Sequence, residues 1–93
     1  MYFVFWNSEL ETLSSSIGTL KHLRYLNLRG NKNIKKLPDS ICDLQNLEAL
    51  ILWECEDFEK LPRDIRKIVS LRRFEITTRQ MHVPANRMNK VSL

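Results

Sequence analysis

The chain contains 93 residues, two of them cysteine, and carries a formal net charge of +4 at pH 7. That length allows one small domain, and two cysteines are too few for a disulfide scaffold. The apolar start MYFVFW lacks the basic flank and the length of a signal peptide, and no N-glycosylation site or run of roughly 20 apolar residues follows it, so we expect a reducing, cytoplasmic environment.

The positive charge is concentrated near the C-terminus. Residues 61–93 contain eight Lys and Arg against two Asp and Glu, whereas residues 1–60 have a small acidic excess. A basic segment can contact nucleic acid or anionic lipid. We favour a solvated surface, because Arg63 and Arg66 fall on a different part of the repeat described below from Arg72 and Arg73. We therefore expect neither nucleic acid nor a membrane as a partner.

Three segments repeat one another along the chain, namely 13–36, 37–60 and 61–83. Apolar residues hold the same columns in each unit, and Leu26, Leu50 and Phe74 form one of them. The constant spacing of this column lies in the range of about 20–29 residues that is typical of leucine-rich repeats. Residues 1–12 match the end of a partial repeat, and residues 84–93 are either a tail or the truncated start of another unit.

Each unit predicts a strand and a return arm. In the first unit L-x-x-L-x-L alternates at Leu26 and Leu28, which is the two-residue period of a strand. Ile17, Leu20 and Leu23 are spaced by three, which suits a 3₁₀ or short helical arm. Because one unit cannot bury its own apolar side chains, we expect the units to stack into an α/β solenoid. A short parallel β-sheet then lies on the concave face, and helical, 3₁₀ or extended arms lie on the convex face.

The same period, extended toward the N-terminus, also aligns the first strand. Tyr2 and Val4 then take the inward positions, and the outward positions fall to the bulky residues Met1, Phe3, Phe5 and Trp6. Exposed groups of this size either bind something or are covered by further repeats. We expect further repeats, since the chain begins within a unit and without a polar cap.

Two residues follow the strands in one column. The side-chain amide of Asn31 can serve backbone groups that a sharp turn leaves unpaired. Cys55 takes this place in the next unit, and we interpret it as a small buried thiol rather than a nucleophile, because no His or acid stands at a suggestive spacing. Cys42 falls on the return arm, so the two thiols should not pair.

No pattern in the chain predicts catalysis. His22 and His82 are isolated, and the acidic residues of the turn at 54–59 do not have the spacing of an EF-hand loop. We interpret that turn as a solvated surface. We therefore expect no enzymatic activity, no cofactor and no metal site.

The run LPDSICDLQNLEALILWECEDFEKLPRDI resembles the leucine-rich region of plant nucleotide-binding leucine-rich-repeat disease-resistance proteins, whose pattern is LPxSIxxLxxLxxLxLxxCxxLxxLPxxI. The run LPRDIRKIVSLRRFEITT is similar to the coiled-coil class of these receptors. The resemblance implies an intracellular immune-receptor region that recognises a pathogen effector or host protein and holds a neighbouring nucleotide-binding switch domain off. The chain lacks the G-x-x-x-x-G-K-[ST] loop of the switch itself, which indicates a fragment or a truncated gene product. The alternative is a stand-alone cytosolic scaffold of the Ras-group leucine-rich-repeat type, which shares the LPxxI rhythm.

Outward strand positions define the expected binding surface. The alternation places Ile51 and Trp53 on the outward side, where burial in the core does not explain an apolar residue. Aromatic residues together with arginine on a rigid sheet are typical of protein-binding hot spots. We therefore predict a protein-binding site on the concave face made of Tyr25, Asn27, Arg29, Ile51, Trp53, Arg73 and Glu75.

Overall fold

The computed structural model describes residues 1–78. Four strands, β1 (Tyr2–Val4), β2 (Tyr25–Asn27), β3 (Ala49–Leu52) and β4 (Arg73–Ile76), form one parallel sheet in the order β1-β2-β3-β4. Three 3₁₀ helices, η1 (Ser15–Thr19), η2 (Asp39–Asp43) and η3 (Ile65–Lys67), alternate with the strands. The last part of the third predicted repeat, from residue 79 to 83, and the predicted tail 84–93 lie outside the described residues.

Stacked columns of apolar side chains build the core between the sheet and the 3₁₀ arms. Leu26 pairs in register with Leu50, and Leu50 with Phe74. All three are at most 1% exposed, and the constant spacing predicted for these three strands is confirmed. On the arms, Ile17, Ile41 and Ile65 supply the facing side of the same core cluster (the column had predicted this inward position). The repeats therefore hold together by burial of aliphatic side chains between neighbouring units.

The first strand follows a different spacing. Phe3 pairs with Leu26, and Val4 pairs with Asn27, so the step from β1 to β2 is one residue shorter than the step from β2 to β3. A strand has a side-chain period of two, so a shift of one residue exchanges its inward and outward faces. The alignment of β1 by a uniform period was therefore wrong.

The corrected register places the aromatic rings of β1 differently. Phe3 and Phe5 point inward and pack against the core, with their rings 4.6 Å apart. Tyr2, Val4 and Trp6 point outward and are exposed. The expectation that Phe3 and Phe5 face outward while Tyr2 and Val4 face inward is corrected by this register.

The turn after each strand requires a left-handed residue. Asn7, Gly30 and Glu54 occupy equivalent places and have φ angles of 48°, 79° and 58°. Only glycine adopts this region freely, and asparagine tolerates it better than most residues. Gly30 has a second reason to lack a side chain, because an added Cβ would collide with Oδ1 of Asn7. The separation along the sequence is therefore one residue shorter from the first turn to the second than from the second turn to the third, as it is for the strands.

The fully buried Asn31 connects neighbouring turns. Its Nδ2 donates to the carbonyl oxygens of Phe5, at 2.5 Å, and Leu28, at 2.8 Å. Its Oδ1 accepts from the backbone N–H groups of Ser8 and Leu10, both at 3.2 Å. The amide therefore makes four hydrogen bonds to backbone groups of neighbouring turns, the kind of role that its position in the repeat predicted.

Within residues 1–78, none of the helices has the length and apolar character needed to cross a membrane.

Candidate functional site

One face of the sheet is turned away from the 3₁₀ arms, and we call it the open sheet face. The strand registers and the backbone hydrogen bonds that continue them place three residues of each strand or its extension on this face. These residues are Tyr2, Val4, Trp6, Tyr25, Asn27, Arg29, Ala49, Ile51, Trp53, Arg73, Glu75 and Thr77. All seven predicted binding residues therefore lie on one surface, although they differ in accessibility.

The most exposed apolar part of this face lies on β1. Tyr2 is 76% exposed, Trp6 is 59% exposed and Val4 is 45% exposed. The rings of Tyr2 and Tyr25 are 5.1 Å apart and tilted by 31°, which joins this edge to the next strand. A contiguous exposed apolar patch is a common mark of an interaction site.

The centre of the open sheet face is closed to solvent. Ile51 is 0% exposed and Asn27 is 5% exposed, although both point to this face. They occupy the middle row, and the rows on either side carry the larger rings of Tyr25 and Trp53, which are within reach of diagonal neighbours on a sheet. The prediction that Ile51 faces solvent was therefore wrong. Ile51 is therefore not available to a partner.

A hydrogen-bond network fixes the far side of the face. Nε1 of Trp53 donates to Oε1 of Glu75 at 3.1 Å. The other carboxylate oxygen of Glu75 accepts from Nε of Arg73 in an ion pair. This hydrogen bond to Glu75 is the main reason that the pKa of Arg73 lies above its usual value. The indole is thereby held at a defined angle.

Arg29 lies beside the indole of Trp53. Its guanidinium carbon is 5.7 Å from the ring centroid, within the range of a cation–π contact. The same guanidinium donates to both carboxylate oxygens of Glu54, at 3.3 and 3.5 Å. Arg29 therefore keeps a planar, charged group at the surface in a restricted set of conformations, which lowers the entropic cost of binding a partner.

Neither cysteine is poised for chemistry. Burial raises the pKa of the Cys55 thiol to about 11, and the nearby charge of Glu54 adds to this shift. Its Sγ lies 3.2 Å from the carbonyl oxygen of Leu28, so the thiol has the place that Asn31 has one repeat earlier. Burial, followed by the charges of neighbouring Asp side chains, also raises the pKa of Cys42. Both thiols are free, and neither is held as a thiolate near neutral pH.

The described residues contain no group of three or more His, Cys, Asp or Glu side chains placed to hold a metal ion. Rings, guanidinium groups and backbone edges can make contacts with a polypeptide, whereas nothing in this arrangement activates a nucleophile.

Sequence patterns did not identify Tyr2 and Val4 as members of this surface. The period alone placed them in the core. The turn offered a better marker, because Asn7 tolerates the left-handed conformation that Gly30 adopts after the next strand. Aligning those two residues gives the shorter first step and the correct face of β1.

Comparison with known proteins gives one family. The model of a leucine-rich repeat region matches residues 6–93. The disease resistance protein RPS6 of Arabidopsis thaliana is 38% identical over 64 residues, which is 69% of this chain and 6% of that protein. The disease resistance protein RPP5 of Arabidopsis thaliana is 38% identical over 66 residues, or 71% of this chain and 4% of that protein. The TMV resistance protein N of Nicotiana glutinosa is 36% identical over 88 residues, or 90% of this chain and 8% of that protein. No solved structure matches the chain significantly.

Proposed function

Since the chain belongs to the leucine-rich repeat region of plant disease-resistance proteins, we propose that it is the protein-binding part of an intracellular immune receptor. It spans less than a tenth of the length of the relatives named above, so the partner is proposed here from the surface that this part presents. The partner is a polypeptide, either a pathogen effector, a modified host protein or the receptor's own nucleotide-binding switch domain. We place the receptor in the cytoplasm. Assignment to the coiled-coil class stays a prediction.

The observation that supports this proposal best is the row formed by Trp6, Arg29 and Trp53 on the open sheet face. The register places Arg29 between Trp6 and Trp53 in this row, and its guanidinium lies over the Trp53 ring and is oriented by Glu54. Trp, Tyr and Arg are the residues that most often dominate the free energy of protein–protein binding. We propose that the repeats wind as a solenoid and that this face is its concave, partner-binding side.

The proposed footprint differs from the one that the sequence predicts. It is centred on Tyr2, Trp6, Arg29 and Trp53, and it leaves out the buried Ile51. Four strands at about 4.8 Å spacing span roughly 15 Å, which is small beside the roughly 800 Å² that each partner contributes to a standard interface. The chain should therefore bind weakly alone and contribute one part of a larger contact.

A binding experiment with a matched control tests the site. The nucleotide-binding switch domain from the same receptor is immobilised, and binding of the chain is measured by biolayer interferometry. The double substitution Arg29→Ala and Trp53→Ala should abolish binding, because it removes the cation and the ring from the centre of the row. A control with Arg66→Ala and Val69→Ala, on and next to η3, also removes one arginine and one apolar group and should leave binding unchanged.

Thermal unfolding of both double variants guards against a folding artefact. Arg29 and Trp53 lie outside the core cluster, so the variant should stay folded at the temperature of the binding measurement, with a midpoint lowered by the loss of a ring near the buried Ile51. Equal binding by the two double variants would contradict the proposed face. If the switch domain does not bind, the same pair of variants is used with effector or host-protein candidates, because the location of the site does not depend on which of these partners occupies it.

The alternative of a Ras-group scaffold stays a prediction. No observation on the described residues favours it over the receptor region.

A further inference from the structure

A groove opens between the second and third return arms, away from the open sheet face. Its volume is about 690 Å³. Its walls come from equivalent segments of two repeats, and the lining residues include Lys36, Leu37, Pro38, Cys42, Lys60 and Pro62. None of them belongs to the open sheet face, so the groove is a separate surface from the proposed partner site.

One column of the repeat changes its residue at this groove. Gly18 lies on η1, and a Cβ there would come within 2.7 Å of the carbonyl oxygen of Ser40, so glycine is what lets η2 pack closely on η1. The equivalent residue of the next repeat is Cys42. Cys42 lines the groove and is half-buried.

Two lysines lie side by side at the groove, which Asp39 and Asp64 also line. Lys36 and Lys60 form a parallel β-bridge, which places their side chains on adjacent rungs. Both are exposed, and neither has an ion pair with any other residue in the range 1–78. Like charges directly opposite each other on neighbouring strands destabilise a sheet. Arg63 adds a third cation to the lining.

The floor of the groove has a different character. Pro38 and Leu61 are partly exposed and supply apolar surface from the two arms, while Leu37 and Pro62, which also line the groove, are buried. A ligand that suits both parts carries anionic groups for the lysines and an apolar group for the floor. Acidic peptide segments with an apolar side chain between carboxylates have this combination.

We propose that this groove binds a short acidic segment of a polypeptide, with its carboxylates at Lys36 and Lys60 and an apolar side chain on the leucine–proline floor. Asp39 and Asp64 also line the groove. Their negative charges oppose the continuous phosphate backbone of a nucleic acid, whereas a peptide can place its carboxylates at the lysines alone. The acidic segment is therefore a second recognition element, independent of the open sheet face.

A fluorescence anisotropy titration tests the proposal on the whole chain. The probe is a fluorescein-labelled pentapeptide with a central leucine flanked on each side by two glutamates. Lys36→Glu combined with Lys60→Glu should weaken its binding by roughly ten-fold or more, because exchanging attraction for repulsion at two exposed sites doubles the loss of each ion pair. The matched control is Lys21→Glu combined with Lys35→Glu, which changes the net charge equally at exposed lysines that do not line the groove. It should shift binding by less than about two-fold after screening at 0.15 M salt.

Further probes identify what the groove recognises. A pentapeptide with glutamine for each glutamate should not bind, and one with glycine in place of the leucine should bind more weakly than the parent probe. Binding of the glutamine peptide equal to that of the parent would overturn the role of the lysines. Preferential binding of a labelled single-stranded 20-nucleotide DNA would overturn the assignment of a peptide ligand.

Alkylation of Cys42 locates the bound peptide. Cys42 is half-buried and Cys55 is fully buried, so N-ethylmaleimide at pH 8.5 should modify Cys42 first. Saturating acidic peptide should slow that reaction several-fold, and Cys42→Ser should remove the fast phase. An alkylation rate that the peptide leaves unchanged would show that the peptide binds elsewhere and would overturn the proposal.

Thermal unfolding separates loss of binding from loss of folding. The charge-reversed variant still places two like charges on adjacent rungs, so its midpoint should stay close to that of the parent chain. If it were unstable, Lys36→Gln combined with Lys60→Gln would carry the test, because it removes both cations and the repulsion between them. Binding of the acidic probe to that variant as tightly as to the parent chain would overturn the proposal.

Discussion

Replacing Asn31 by alanine tests the idea that one buried amide connects neighbouring repeats. The side chain makes four hydrogen bonds to backbone groups of Phe5, Leu28, Ser8 and Leu10. A typical intramolecular hydrogen bond contributes about 0.5–1.5 kcal/mol, and bonds made by one side chain are not fully additive, so the substitution should lower the free energy of unfolding by about 2–4 kcal/mol. This loss is large against the roughly 5–15 kcal/mol that is typical of whole domains.

The measurement is urea unfolding followed by circular dichroism, with the midpoint and slope fitted separately. Asn33→Ala is the matched control, because Asn33 is exposed in the same turn and should change stability by less than about 0.5 kcal/mol. Asn31→Cys should fall between the two, because a thiol can contact the Leu28 carbonyl as Cys55 does but replaces only part of the amide's bonds.

Two results would contradict this reasoning. If Asn31→Ala and Asn33→Ala had the same midpoint, the four bonds would contribute nothing beyond those made with water. If the alanine variant were too unstable to measure, Asn31→Cys would carry the test, and a stability equal to that of the parent chain would refute the specific need for the amide.

Three further changes probe the core, the arms and the buried thiol. Leu50→Ala should cost about 2–5 kcal/mol through lost burial and a residual cavity, while Val69→Ala, at a position that is 85% exposed, should cost under about 0.5 kcal/mol; equal urea midpoints would contradict the assigned core. Gly18→Ala should cost about 1–3 kcal/mol, because its Cβ meets backbone of η2 at 2.7 Å; a midpoint unchanged from the parent would refute the close approach. The pKa of Cys55 is raised from 9 to about 11, so the unfolded state releases this proton first and stability should fall by roughly 2 kcal/mol between pH 9 and pH 11. Cys55→Ala should flatten that part of the stability curve measured by urea unfolding, and an unchanged slope would show that the thiol is not the cause.

The stacking of the units was predictable because it depends on large side chains at fixed spacing. Leu26, Leu50 and Phe74 had to point the same way once the two-residue alternation was recognised, and neighbouring units are the nearest apolar surface available. The role of Asn31 followed from the same columns. Each of these predictions uses the direction of a side chain, which a repeat determines without further information.

The face of β1 was harder to predict, because repeats that differ in length by a single residue look alike when many positions are apolar. MYFVFW has bulky residues at both odd-numbered and even-numbered positions. Hydrophobicity alone therefore does not indicate whether Phe3 or Val4 points inward. The turn after the strand determines which of them points inward, because Asn7 adopts a positive φ there. The register of the strand then decides which rings reach the solvent.

Direction and accessibility are separate properties of a sheet residue, and Ile51 shows the difference. Its outward direction was predicted correctly, yet it is fully buried by its neighbours on the same face. Ile51 lies in the row between those of Tyr25 and Trp53 on this face. The open sheet face therefore presents Trp53, held by Glu75, and Arg29, held by Glu54, as oriented groups. Immobilising them against a partner would cost less conformational entropy than the ordering of free side chains, which supports the proposal that this small sheet contributes to a larger contact.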